Sequence, residues 1–415
     1  MNKLAILGGK PVGKFEMPSF PYYDESDVDA VADTMRSGVW GLGGAKQKEL
    51  EEKFAAFCGV PYSVSASNGT VTLRMAMEAL EIGPGDEVIV PGLTWQATAA
   101  TVLDVNAVPI LVDVDPETYT IDPKAIEAAI TERTKCIIPV HLYGRMANMD
   151  ELLAIADKHN LYIIEDCAHQ QGARWDGKAA GSLGTIGSFS LQSSKILNSG
   201  EGGLLTTKDS RLSDLLHSLR FCGRAVREGA EAMQSGNFRL SELQAALAIV
   251  QLSRLEEQNA HREINATYIE NQVSDIEGIK PMYRHPKITR QAFYNLTLRY
   301  DASAWEGVPK LKFLEALKAE LDNESFHYGT TYEPLHMSPL YRPHSKKTHR
   351  LSETYWQQID PRRFDLPVCK KAYEEESLNF MHMMLMTNRE GCDIFVEAIK
   401  KLRANVGELA EFARK

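Results

Sequence analysis

Between residues 62 and 191, short apolar segments alternate with segments of helical periodicity, and this alternation constrains the fold more than any other feature. Continuous apolar runs are typical of strands buried on both faces, as in parallel sheets covered by helices. The sequence therefore predicts an α/β fold with a mostly parallel sheet, whose ligands bind beyond the carboxyl ends of the strands. Strands are expected at residues 62–66, 87–91, 108–113, 136–141, 162–166 and 186–191.

The length of 415 residues indicates two structural units, because a single hydrophobic core rarely grows that large. We predict an N-terminal arm over residues 1–25, a large domain over 26–257, and a linker helix with a smaller C-terminal α+β domain over 258–415. A long helix is expected at 241–257, and a second helix at 258–275 is expected to lead into the smaller domain.

Composition and charge exclude several classes of protein. The formal net charge of −10 disfavours nonspecific binding of nucleic acid, and no apolar run approaches the roughly 20 residues of a membrane span. The six cysteines are scattered without a Cys-x-x-Cys pair, which argues against a metal site and a disulfide framework. The short apolar run near the N-terminus does not match a signal peptide, so we expect a cytoplasmic protein with reduced thiols.

Lys195 follows the predicted strand at 186–191 in a turn of small and polar residues, and glycines are dense just after it. A lysine held at a strand end in a partly apolar site is costly as an ammonium ion, so its pKa falls toward values at which the free amine is populated. A free amine condenses with a carbonyl to give a Schiff base. Read alone, Lys195 is an ordinary surface lysine, but two other stretches supply what a Schiff-base lysine with a pyridoxal cofactor needs.

The first of these stretches is Asn68-Gly69-Thr70, at the start of a predicted helix. A helix start offers free backbone N–H groups and a positive dipole end, and the threonine adds a hydroxyl donor, which together suit a phosphate. The alternative is a plain helix cap, since Asn and Thr often cap helices.

The second stretch is Glu165-Asp166, at the end of the predicted strand 162–166. At this position Asp166 can pair with the ring nitrogen of a pyridoxal cofactor, and His169 can orient its phenolic oxygen. As alternatives, Asp166 caps the next helix and His169 is a hydrogen-bonded structural histidine. The order of phosphate-binding turn, acid and lysine on a parallel sheet is specific, although each part alone is weak.

Taken together, these motifs resemble the DegT/DnrJ/StrS-type sugar aminotransferases, a family of fold-type-I pyridoxal-phosphate enzymes. The resemblance covers nearly the whole chain, and residues 4–11 are similar to the glutamine:scyllo-inosose aminotransferase branch. It implies a large domain with a seven-stranded-type sheet sandwiched by helices. The motifs that carry it lie at 68–70, 90–95, 112–115, 139–144, 165–166, 188–190, 195, 200–203 and 237–240.

The resemblance also implies a role for each residue of the site. Lys195 would form the Schiff base and Asp166 would pair with the pyridine nitrogen, which makes these two the catalytic residues. Trp95 would stack on the cofactor ring, and Asn237 would reach the phosphate from the second subunit of a homodimer. Many members carry glutamine in place of His169. The full site implied for pyridoxal 5'-phosphate is Gly69, Thr70, Trp95, Asp166, His169, Ser190, Lys195 and Asn237.

Two residues narrow the branch within the family. Gln192 stands where many sugar-nucleotide members carry histidine, a pattern closer to the cyclitol and aminoshikimate-type members. Lys195 argues against the dehydratases of the family, in which histidine replaces the lysine.

The implied function is ping-pong transfer of an amino group from glutamine or glutamate to a ketone on a cyclitol, such as scyllo-inosose, or on a keto-sugar. The alternatives are a nucleotide-sugar aminotransferase, a non-catalytic pyridoxal-phosphate-binding regulator, and a different ligand on the same fold. Tyr332 and His336 are candidates for contacting the substrate. The candidates for binding the donor carboxylate, among which the sequence does not choose, are Arg220, Arg224 and Arg239.

Overall fold

The computed structural model describes residues 3–415 and contains three β-sheets. The strands are β1 Tyr62–Ala66, β2 Glu87–Pro91, β3 Val108–Val112, β4 Thr134–Ile137, β5 Tyr162–Asp166, β6 Arg174–Trp175, β7 Lys178–Ala179, β8 Ile186–Ser190, β9 Gly203–Thr207, β10 Ile279–Pro281, β11 Ile288–Arg290, β12 Asn295–Tyr300, β13 Tyr328–Gly329 and β14 Ser377–Met381. The helices are α1 Glu25–Ser37, α2 Lys46–Cys58, α3 Gly69–Ala79, α4 Ala97–Asp104, α5 Pro123–Ala129, α6 Met149–His159, α7 Ser210–Arg220, α8 Glu242–Val273, α9 Lys310–Glu320, α10 Glu353–Gln358, α11 Pro367–Lys371, α12 Arg389–Ala404 and α13 Val406–Ala413. Short 3₁₀ segments occupy Ala5–Leu7, Ala302–Trp305, Pro343–Ser345, Pro361–Arg363 and His382–Met386, and a π-helical turn spans Ala372–Glu376.

A seven-stranded sheet with the strand order β1-β9-β8-β5-β4-β2-β3 forms the first half of the fold. Strand β9 runs antiparallel to both of its neighbours, and the other neighbouring strands pair in parallel. This arrangement confirms the predicted α/β fold with a mostly parallel, seven-stranded sheet. Because the parallel strands end at one edge, the residues that follow β1, β2, β5 and β8 meet there.

Local bounds agree with the sequence prediction in some elements and differ in others. The strands predicted at 62–66, 87–91 and 162–166 have the same bounds in the structure. The strand predicted at 136–141 is wrong, since β4 ends at Ile137 and beyond it only Val140 forms an isolated bridge with Asp166. Pro139 has no N–H to donate to a neighbouring strand, which interrupts the ladder at that point.

The prediction of two helices at 241–257 and 258–275 is also wrong, because α8 runs unbroken for 32 residues. It begins at a capping box, in which the Ser241 hydroxyl accepts from the Gln244 backbone N–H and the Gln244 side chain accepts in return from the Ser241 N–H. The helix contains neither glycine nor proline, so its hydrogen-bond ladder continues through residue 257. No helix within residues 3–415 combines the length and apolar character that crossing a membrane requires.

Two hydrophobic clusters form the core. The first surrounds the seven-stranded sheet and includes Leu335 and Leu366 from much later in the chain. The second packs on the antiparallel sheet β10-β12-β14-β13 and includes Leu4 and Phe15 from the predicted arm. Each cluster draws on distant parts of the chain, and the division at residues 25 and 257 stays a prediction. Residues 1 and 2 of the predicted arm lie outside the described residues.

Candidate active site

A cavity of about 400 Å³ lies at the carboxyl-terminal edge of the seven-stranded sheet. The fold brings most of the sequence-predicted site residues to its walls, although they come from six different stretches of the chain. The predicted residues that line it are Gly69, Thr70, Trp95, Asp166, His169, Ser190, Lys195 and Tyr332.

Lys195 extends into this cavity from the turn after β8, where its backbone N–H donates to the carbonyl of Gln192 at 2.8 Å. Its side chain is partly accessible through the cavity, while its amine is surrounded by protein on almost every side. This burial lowers the pKa of Lys195 to about 8, and the carboxylate of Asp166 opposes the shift. About a tenth of the amine is therefore free at pH 7, far more than for a lysine with an ordinary pKa.

Asp166 is buried at the carboxyl end of β5. Its Oδ2 accepts a hydrogen bond from the Thr98 hydroxyl at 3.0 Å, and its Oδ1 accepts one from the Ala168 N–H at 3.2 Å. Burial raises the pKa of the Asp166 carboxyl, and these two donors together with the Lys195 amine oppose that shift. The carboxylate would therefore gain from a positively charged partner inside the cavity.

His169 is held in place by two hydrogen bonds and by stacking. Its Nδ1 accepts from the Tyr143 N–H at 3.3 Å, and its Nε2 lies 3.3 Å from the Tyr332 hydroxyl. Burial, with the nearby Lys195 amine, lowers the pKa of His169 well below its usual value, so the ring is neutral. Because Nδ1 accepts a hydrogen bond, we assign the proton of the neutral ring to Nε2, which is therefore the donor nitrogen. Tyr294 stacks on the imidazole with the ring centroids 4.0 Å apart.

The start of α3 lies on the wall of the cavity, next to the end of β8. Asn68 caps the helix by accepting from the Val71 N–H, which leaves the first backbone N–H groups of the helix, at Gly69 and Thr70, without intrahelical partners. A Cβ on Gly69 would lie only 2.8 Å from the Cβ of Ser190. Only glycine therefore lets the helix start approach β8 this closely, and the Ser190 hydroxyl then lies beside those N–H groups.

Two aromatic residues stand at the mouth of the cavity. Trp95, in the loop between β2 and α4, is 48% exposed, and its ring centroid lies 5.8 Å from that of Tyr332. An indole that is half exposed in a cavity offers a flat face on which a planar ligand can stack.

The structure does not bring two of the predicted residues into this cavity. Asn237 is exposed, and its backbone forms an isolated antiparallel bridge with Phe221. Within the described chain its side chain accepts a hydrogen bond only from the Arg239 N–H. His336 is half-buried outside the cavity, and burial lowers its pKa. The candidate arginines also lie elsewhere: Arg220 pairs with Glu51, while Arg224 and Arg239 pack against Phe221.

Several residues of the cavity were not identified from the sequence. Tyr294 places its ring 4.4 Å from the Lys195 Nζ, and its hydroxyl lies 2.9 Å from the Ser194 hydroxyl. Thr98 supplies the donor to Asp166 described above. The sequence offers one weak indication of Thr98, because it lies four residues after Thr94 and three after Trp95. No local sequence pattern links residue 294 to residue 195.

One cluster near the cavity has the composition of a metal site, because His141, Glu165 and Cys167 lie within 4.8 Å of one another. However, the Glu165 carboxylate already accepts from three backbone N–H groups, at residues 181, 183 and 184, and from the His141 Nε2. The other ring nitrogen of His141 accepts from the Ala147 N–H. The ligand atoms of Glu165 and His141 are thus already hydrogen-bonded, which favours a structural role for these two residues beside β5.

Comparison with protein families and solved structures agrees with this geometry. Residues 21–384 match the family model described as the DegT/DnrJ/EryC1/StrS aminotransferase family. An L-glutamine:scyllo-inosose aminotransferase from Streptomyces griseus is 39% identical, over 99% of this chain and 99% of its own. An L-glutamine:2-deoxy-scyllo-inosose aminotransferase from Streptoalloteichus tenebrarius is 38% identical, over 98% and 99% respectively.

Solved structures show the same fold. An aminotransferase from Psychrobacter cryohalolentis superimposes with a TM-score of 0.82 at 28% identity, covering 94% of this chain and 100% of that one. The 3-amino-5-hydroxybenzoic acid synthase gives a TM-score of 0.79 at 27% identity, with the same coverage.

Proposed function

This chain belongs to the DegT/DnrJ/EryC1/StrS aminotransferase family, and from that membership we propose that it transfers the amino group of glutamine to the ketone of a cyclitol, with pyridoxal 5'-phosphate as cofactor. The observation that carries the proposal is the buried pair formed by Lys195 and Asp166 in one cavity with a helix start suited to phosphate. The names of the relatives support a cyclitol ketone of the scyllo-inosose type as acceptor and glutamine as donor.

The residues of the cavity fit pyridoxal phosphate in size and in charge. A volume of about 400 Å³ falls in the usual range for a small-molecule site. The close approach of Gly69 to Ser190 leaves N–H and hydroxyl donors facing a common space, which is what a phosphate requires. Asp166 is a buried carboxylate without a cationic hydrogen-bond partner, and a protonated ring nitrogen would supply one.

When bound, the cofactor supplies a carbonyl that takes up the amino group and a ring that accepts the electrons released at the donor's α-carbon. Lys195 acts as the base that takes the α-proton on its Nζ and returns it later, because its pKa of about 8 lets the free amine form near neutral pH. Asp166 would hold the ring nitrogen in its protonated form. His169 would donate from Nε2 to the phenolic oxygen, and Trp95 would stack on the ring.

A homodimer completes this proposal. Asn237 is exposed and does not line the cavity of its own chain, which supports a contact with the phosphate bound by the partner subunit. A surface for such a partner is available, because seven of the fourteen large hydrophobic residues that are exposed within residues 3–415 fall between residues 22 and 42. They are Tyr22, Tyr23, Val28, Met35, Val39, Trp40 and Leu42.

The experiment that tests the proposal follows the visible absorption of the cofactor-loaded protein. Glutamine is expected to bleach the band, and scyllo-inosose or its 2-deoxy analogue is expected to restore it, whereas Lys195→Ala protein should show neither change. A nucleotide-linked keto-sugar serves as the competing acceptor. If no amino acid changes the spectrum of the wild-type holoprotein, the assignment as an aminotransferase is wrong. If only the nucleotide-linked ketone restores the band, the cyclitol acceptor is wrong.

A further inference from the structure

A second cavity, of about 310 Å³, adjoins the active-site cavity and shares Tyr294 and Tyr332 with it as a common wall. The remaining residues come mainly from the small antiparallel sheet and the loop after β13. They are Tyr143, Asn295, His327, Tyr328, Gly329, Thr330, Asn379 and Met381.

The pairing of β12 with β14 places two asparagines on the wall of this cavity. In the antiparallel register, Asn295 lies opposite Met381, and Thr297 lies opposite Asn379. Directly opposed residues share a face of the sheet, and so do residues two positions apart along a strand. Asn295 and Asn379 are therefore diagonal neighbours on the face of the small sheet that borders the cavity.

Both asparagines are buried, and each has a buried amide atom that makes no hydrogen bond of ordinary geometry within residues 3–415. Asn295 is 8% exposed and the atom is Oδ1; Asn379 is 4% exposed and the atom is Nδ2, in an amide that lies beside the Tyr143 hydroxyl. The other amide atom of Asn379, Oδ1, accepts from the Thr297 hydroxyl. Buried polar atoms in native proteins are nearly always paired, so Asn295 Oδ1 and Asn379 Nδ2 are available to a polar ligand in the cavity.

The cavity contains no lysine, arginine, aspartate or glutamate among its described lining residues, and the exposed His327 is its only basic side chain. A carboxylate placed against the buried asparagines would gain no permanently charged partner, which is unfavourable. A neutral group that both accepts from Asn379 Nδ2 and donates to Asn295 Oδ1 has the required complementarity. A carboxamide combines one carbonyl acceptor with an N–H₂ donor.

We propose that Asn295 and Asn379 receive the side-chain carboxamide of the donor glutamine and make this cavity the site that distinguishes glutamine from glutamate. The inference rests on the proposed function, since it names residues that recognise the donor of that reaction. The cavity is close to the reacting centre, because Tyr294 forms part of its wall and also contacts the Lys195 amine at 4.4 Å from the ring centroid.

The test compares the two half-reactions in rapid-mixing experiments on the holoenzyme. In Asn379→Leu and Asn295→Leu proteins, the glutamine concentration that gives half the maximal bleaching rate should rise about tenfold or more, as expected when a hydrogen bond to a buried group is lost. The ketone concentration that gives half the maximal rate of restoring the band should change much less. Asn271→Leu, an exposed position on α8, controls for the substitution itself.

Asn379→Asp and Asn295→Asp keep the shape of the side chain, and they carry the test if the leucine variants do not fold. Each should raise the glutamine concentration for half the maximal bleaching rate by a similar factor. Aspartate at 379 lacks the N–H donor, and aspartate at 295 adds a negative charge where the lining has no lysine or arginine. An unchanged dependence on glutamine in all the folded variants overturns the proposal, as does an equal loss of the donor and acceptor half-reactions. In either case wild-type bleaching by glutamine still stands, so failure of this inference is distinct from failure of the proposed function.

Discussion

The Nζ atom of Lys195 lies 4.4 Å from the centroid of the Tyr294 ring. The two residues come from different sheets, since Lys195 follows β8 and Tyr294 precedes β12. Tyr294 is itself held by its hydroxyl, which lies 2.9 Å from that of Ser194, next to the lysine in the chain. The ring covers one side of the amine and so contributes to its burial, and burial is the largest cause of the lowered pKa of Lys195.

We expect the rate of cofactor uptake by the apo-protein to follow the titration of Lys195. Only the free amine attacks a carbonyl, so below the pKa of about 8 the rate should fall about tenfold per pH unit, and above it the rate should level off. Growth of the visible band after mixing apo-protein with pyridoxal phosphate measures this rate. A lysine with an ordinary pKa would keep the rate rising to about pH 10, and that result would contradict the burial described here.

Thr98→Val should slow the donor half-reaction about tenfold while leaving the cofactor bound. The change removes the hydroxyl that donates to Asp166 Oδ2, so the carboxylate loses both orientation and one of the donors that keep it ionised. Single-turnover bleaching by glutamine and the cofactor content of the purified protein give the two readings. Thr101→Val is the matched control, because its hydroxyl donates to the Ala97 carbonyl on the same helix. Equal rates in both variants would remove Thr98 from the mechanism.

Gly69→Ala should raise the apparent dissociation constant for the cofactor about 10- to 100-fold. The added Cβ would meet Ser190 at 2.8 Å, so the helix start must move away from β8 and its N–H groups would no longer converge on the phosphate. Equilibrium titration of the apo-protein with pyridoxal phosphate measures the effect. At Gly407, a Cβ would meet no atom within 4 Å, and Gly407→Ala should bind the cofactor as the wild type does.

Mixing two inactive variants should restore activity if the site is shared between subunits. Lys195→Ala protein lacks the base, and Asn237→Asp protein presents a negative charge to the phosphate of its partner. In a heterodimer, one of the two sites combines an intact Lys195 with an intact Asn237, so about a quarter of the wild-type activity is expected after random exchange. Activity is measured after co-denaturation and refolding of the mixture. No recovery, with dimers present, would place Asn237 outside the partner's site.

Glu165→Gln should lower the free energy of unfolding by about 3 kcal/mol. The buried carboxylate accepts from three backbone N–H groups and from His141, and an amide N–H₂ in its place would face donors. Denaturant unfolding monitored by fluorescence gives the value. Glu127→Gln is the control, because Glu127 lies on the surface with Lys158 and should change stability little.

The sequence predicted the elements of the first sheet well where the pattern is local. Strands β2 and β5 contain short apolar runs, β1 alternates serine with less polar residues, and the bounds of all three were predicted correctly. The errors have two separate causes. Pro139 has no N–H to donate to a neighbouring strand, which interrupts the ladder after β4, and α8 continues past residue 257 because neither glycine nor proline interrupts its hydrogen bonds.

The candidate site divides in the same way. The positions of Gly69, Asp166 and Lys195 at the carboxyl-terminal edge of the sheet were predictable. Each residue lies at or just after the end of a strand that a short stretch of sequence predicts, and parallel strands end at the same edge. Tyr294, Asn295 and Asn379 were not identified, since nothing in their local sequence indicates that the small sheet packs against that edge.

By itself, then, the sequence determined the alternation of strands and helices and the strand ends that carry the lysine, the acid and the glycine, because backbone periodicity and turn chemistry act over a few residues. Only the tertiary structure decided how deeply the Lys195 amine is buried and which aromatic ring lies against it. It also decided which asparagines have a buried amide atom without a hydrogen bond. Those properties depend on contacts between segments that lie far apart in the sequence. Local sequence patterns do not indicate which distant segments pack together, so they do not predict how deeply a side chain is buried.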